Sequence, residues 1–106
     1  MKRTLAALMF VPALACAEFY SGNDLLNKMD GAETGLIAMG YVAGVFDVGV
    51  GTNHCPPSHV TLGQVRDMVK QHLLMYPERR HYSADYLIME MLKKTWPCKK
   101  SSGGSI

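Results

Sequence analysis

A chain of 106 residues with 48% hydrophobic and 19% charged side chains has room for one domain around one small core. Its formal charge of +2 comes from 11 Lys+Arg against 9 Asp+Glu, and Lys2 and Arg3 belong to an N-terminal segment that reads as removable, which leaves 9 against 9. A neutral remainder gives no basic footprint for nucleic acid, and no later stretch reaches the roughly twenty apolar residues of a membrane span.

The first element is a targeting signal. Lys2 and Arg3 form its positive start, Leu5 to Leu14 its apolar run, and Ala15-Cys16-Ala17 its small-residue cleavage site. Cleavage after Ala17 leaves a domain over residues 18–98 and a polar Ser/Gly tail over 99–106, expected to be disordered. A second route would make Cys16 a lipid-bearing cysteine. Ala13 stands where that signal has a branched apolar residue, so the soluble periplasmic form is preferred.

The rest reads as an all-α fold of about four helices with no convincing strand. A first helix over 21–29 is capped by Ser21, with Asp24 three residues on. Phe19 and Tyr20 are expected to fold back on Leu25 and Leu26. A second helix over 33–48 is poor in charge and is expected to be the most buried. Gly40 and Gly44 lie on one of its faces, predicting a close helix approach or a dimer seam. Glycines 49 and 51 mark its exit, and Cys55-Pro56-Pro57 a loop. Thr61-x-x-Gln64 is a capping box opening a third helix, whose apolar stripe runs Leu62, Val65, Met68, Val69, Leu73 and which Pro77 ends. Ser83 is expected to cap a fourth helix reaching Thr95, with a stripe of Leu87, Ile88, Met91 and Leu92.

Signal removal leaves two of the three cysteines, Cys55 and Cys98. In an oxidising compartment an even pair reads as a disulfide. It closes a loop of about 44 residues, worth roughly 4 kcal/mol by chain entropy. Two other readings use the same sulfur. A nucleophilic Cys55 would draw on His54 or His59 as a base, and a zinc site would combine His54, Cys55, His59 and Cys98. Neither has a complete constellation, and no cofactor site is expected. Asp47 sits at the unfavourable end of the second helix within an apolar stretch, predicting a buried ion pair with Arg79 or Arg80. The Glu78-Arg79-Arg80-His81 cluster reads either as a recognition surface or as a solvated link.

Several segments, in order, resemble the Rap/Tai family of type VI secretion immunity proteins. They are Phe19 to Leu26, Gly40 to Asp47, Cys55-Pro56 with Val60 to Val65, Pro77 to Ala84, and Trp96-Pro97-Cys98. The resemblance spans nearly the whole of 18–98. It implies an all-α periplasmic homodimer without enzymatic activity that binds a cell-wall amidase effector and blocks its cleft. Members often carry two further cysteines; here Met29 stands at the first place and Ala38 or Met39 near the second. The expected contact segment is the loop of Asn53, His54, Pro56, Pro57 and Ser58, or a polar helix face. A general periplasmic binding or chaperone-like helical protein is the alternative reading, and a small secreted enzyme the third.

Overall fold

The computed structural model describes residues 19–99. The export signal over 1–17, the fate of Cys16 and the tail beyond Lys99 lie outside them. Four α-helices follow in order: α1 (Gly22–Met29), α2 (Ala32–Gly49), α3 (Leu62–Met75) and α4 (Ala84–Thr95). A single 3₁₀ turn, Pro77–Arg79, joins α3 to α4. The all-α reading holds, with isolated bridge pairs and no strand among the described residues.

Local chemistry sets the helix starts. Ser21 accepts from the Asp24 amide at 3.1 Å, and Asp24 accepts from the Ser21 amide at 3.0 Å, a complete capping box. The Ser21 hydrogen bonds, first the backbone one, hold the exposed Asp24 carboxyl below the usual aspartate range. Thr61 and Gln64 make the same reciprocal pair at the head of α3. Ser83 occupies the N-cap position of α4, but its side chain makes no capping bond. The Ala84 amide donates instead to the Tyr20 carbonyl at 2.8 Å. In return the first amides of α1 donate across the chain, Gly22 to the Tyr82 carbonyl at 2.9 Å and Asn23 to the Arg80 carbonyl at 3.0 Å. The starts of α1, α3 and α4 thus satisfy donors that have no partner within their own helix, and α1 is fastened to the α3–α4 connection. Gly22 permits this approach: a Cβ there would lie 2.8 Å from Leu87 Cδ1 and 3.1 Å from the Arg80 backbone.

The core is supplied by Leu25, Leu26 and Met29 of α1, Ala38 and Val42 of α2, Val65, Val69 and Leu73 of α3, and Ala84, Leu87, Ile88, Met91 and Leu92 of α4. The stripe predicted for α4 is buried in full. The expectation that α2 is most buried is overturned. Leu36 and Ile37 are exposed, and of the large apolar residues expected inside only Val42 is fully covered. A helix apolar on every side can be enclosed only by neighbours on every side, and α2 has neighbours on one side. Tyr20 packs against the core and meets the Tyr41 ring at 5.1 Å, whereas Phe19 stands exposed. No described helix is long and apolar enough to cross a membrane.

Candidate interaction surface

The exit from α2 is held by a dense set of hydrogen bonds. The last carbonyls of a helix lack internal donors, and here the following turn supplies them. Asn53 and His54 amides donate to the Gly49 carbonyl at 2.7 and 3.2 Å, and Gly51 adopts φ +89°, which favours glycine. The His54 ring lies wholly inside and reaches the Phe46 carbonyl through Nε2 at 2.9 Å. Its Nδ1 is 3.0 Å from Asn53 Nδ2, which also donates to the Met89 carbonyl at 2.9 Å. Because that amide nitrogen is a donor, Nδ1 accepts and Nε2 carries the proton. The turn therefore ties α2 to α4 through the His54–Asn53 pair.

The chain then runs outward. The Cys55 amide donates to the Trp96 carbonyl at 2.8 Å, and Cys55 is bonded to Cys98 with a Cα–Cα separation of 4.9 Å. With both sulfurs joined, the nucleophile and zinc readings lose their central ligand. His54, expected as a contact residue, is corrected to an internal fastening, while Asn53 is half-buried with its side-chain nitrogen engaged by His54 and Met89. Pro57, Ser58 and His59 are exposed and Pro56 half-buried, so the outer part of the loop is presented from a fixed base.

The predicted Asp47 ion pair is not formed. Asp47 is exposed beside a groove of about 280 Å³ between α2 and the start of α3, lined by Phe46, Val60 and Leu62. Arg79 pairs with Glu90 at 3.0 Å, and Arg80 lends its carbonyl to α1. Gly40 and Gly44 make no close approach among the described residues: a Cβ at either position would meet nothing within 4 Å there. The glycine that does is Gly49, where a Cβ would lie 2.7 Å from His54 Cε1 and 3.0 Å from Met89 Sδ. Gly40 and Gly44 instead share an exposed face of α2 with Leu36, Ile37 and Val48.

A second exposed surface surrounds Arg79, which sequence reasoning left undecided. Tyr76, Tyr82 and Tyr86 are 40, 45 and 50% exposed. The Arg79 guanidinium lies 5.4 Å from the Tyr82 ring centre, and Tyr82 meets Tyr86 edge-on at 5.9 Å. Behind them a cleft of about 270 Å³ opens between α3 and α4, lined by His72, Tyr76, Arg79, Glu90 and Lys94 among others. Burial holds His72 below the usual histidine pKa, against the opposing pull of Glu90, and its buried Nε2 finds no partner among the described residues. The spacing of tyrosines around Arg79 was a usable signal. Read as a polar link, the segment concealed that 3₁₀ and α-helical turns gather those rings.

The whole arrangement, from the capped α1 through the disulfide, falls within the span matched by the family model of Rap1a immunity proteins, residues 15–98. The chain belongs to the Rap1a immunity protein family. Immunity is accordingly its functional class, and binding of an effector is what that class implies. The sequence matches no curated protein.

Proposed function

We propose that this protein is a periplasmic immunity protein that binds a peptidoglycan amidase effector of type VI secretion and inhibits it by occupying its cleft. Membership of the Rap1a family carries the reading. The Cys55–Cys98 bond fits an oxidising compartment such as the periplasm, where a cell-wall amidase would act. Inhibition needs a surface that keeps its shape on contact, because ordering a loose loop subtracts from affinity. The loop tip meets that need, with Pro57 and Ser58 exposed and Pro56 half-buried, yet held by the disulfide and by the buried His54 behind it.

The exposed apolar face of α2 supports a homodimer. Isologous pairing of this face about Gly40 in antiparallel register sets Leu36 of one copy against Gly44 of the other. The large side chain fills the space that the glycine leaves, and each copy supplies both. The function is tested with the purified, disulfide-intact protein and a purified amidase encoded beside its gene. Equimolar protein should abolish hydrolysis of peptidoglycan fragments and form an isolable complex. Full amidase activity at a tenfold excess, with no complex, would refute it.

A further inference from the structure

The loop tip is one exposed feature of this domain, and the surface around Arg79 is a separate one. Helix α4 links the two, with its start fastened to Tyr20 and its C-cap Trp96 hydrogen-bonded to Cys55. The Arg79 surface has the composition of a binding hot spot, in which tyrosine and arginine are over-represented. It is also preorganised. The Arg80 and Tyr82 carbonyls hold the first amides of α1, and the Glu90 carboxylate holds the Arg79 guanidinium at 3.0 Å. Tyr82 is braced by His81 at 4.3 Å and by Tyr86 at 5.9 Å between ring centres. Three rings held half-exposed offer apolar area with little rotamer entropy left to lose on binding.

The chemistry of the cleft specifies what enters. Arg79 and Lys94 face one carboxylate, Glu90, across a space of about 270 Å³, room for a side chain rather than a segment. His72 brings a buried ring nitrogen that lacks a partner among the described residues. One further carboxylate would balance Lys94 and give that nitrogen an acceptor when it carries the proton. We propose that the tyrosine–Arg79 surface is a second effector-docking site, in which an Asp or Glu side chain on the amidase enters the cleft beside Lys94 while Tyr82 and Tyr86 cover the surrounding surface. The proposal rests on the immunity reading and names a contact which that reading does not require.

The test is the affinity of the disulfide-intact protein for the purified amidase encoded beside its gene, measured by titration calorimetry. Y86A and K94E alter exposed side chains, and each variant is first checked for an unchanged unfolding midpoint. Both should weaken binding about tenfold or more, as loss of a hot-spot contact does. The affinity of the wild type should also fall as salt is raised, and that of K94E should fall less. Should Y86A destabilise the fold, K94E and its salt dependence decide alone. Folded variants that bind within twofold of the wild type would overturn the second site and leave the immunity reading intact. A wild type that binds no amidase overturns both. A change in self-association mass with unaltered amidase affinity would assign the surface to a second copy of this chain and overturn the proposal.

Discussion

His54 shows how the role of one residue is set by its surroundings. Beside a cysteine and a proline pair it has the look of a loop residue, available to a partner or a metal. In the fold it is fully buried, accepting from Asn53 and donating to the last turn of α2 at 2.9 Å. Substitution by leucine keeps much of the volume but leaves the Phe46 carbonyl without that donor. A buried polar group stripped of its partner costs about 1–3 kcal/mol. H54L should therefore lower stability by about 2 kcal/mol in urea unfolding, with affinity for the effector falling only as far as folding does. A fully stable H54L would contradict the fastening role. Loss of affinity in a fully folded H54L would return His54 to the contact surface.

At the scale of the element, α2 carries two kinds of glycine that its sequence does not tell apart. Gly44 faces open space, and alanine there removes the conformational cost of glycine within a helix, up to about 1 kcal/mol. Gly49 is pressed between His54 and Met89, so the same change must displace the turn. G44A should raise the thermal midpoint of the monomer and G49A should lower it, as read by circular dichroism. The reverse order would show the packing described here to be wrong. G44L adds bulk on the outer face without an internal clash. It should leave the monomer folded while abolishing the proposed α2–α2 pairing, visible as a halved mass in light scattering. The helices themselves were largely legible. Capping boxes at Ser21 and Thr61 and the apolar stripe of α4 are local patterns, and local patterns survive folding. The burial of α2 was not legible, because an all-apolar helix looks the same whether enclosed or set at an edge.

On the scale of the whole molecule, the disulfide joins the two ends of its second half. Cys55 and Cys98 are 43 residues apart, and the bond holds the end of α4 against the loop that precedes α3. Opening a loop of that length costs about 4 kcal/mol by chain entropy, against a total stability of about 5–15 kcal/mol for a domain. Reduction, or C55A with C98A, should therefore lower the urea midpoint by a large fraction of its value. It should also loosen the proposed inhibitory loop, so reduced protein is expected to inhibit the amidase less well than oxidised protein. An unchanged midpoint after complete reduction would show that helix packing alone sustains the fold.

The sequence by itself determined the helical class, the approximate ends of the four described helices and the family, and favoured the cysteine pairing that the structure contains. Each of these is written in neighbouring residues, in a periodic stripe, in motif order, or in a count that leaves a single partner. Only the tertiary structure decided which glycines are crowded, which histidine is internal, and that Arg79 belongs to Glu90 rather than to Asp47. Those outcomes depend on which helix face meets which neighbour across tens of residues. The candidate surfaces share that dependence. The α2 face is exposed because no other helix covers it, and the tyrosines gather around Arg79 because α1 grips the connection that carries them.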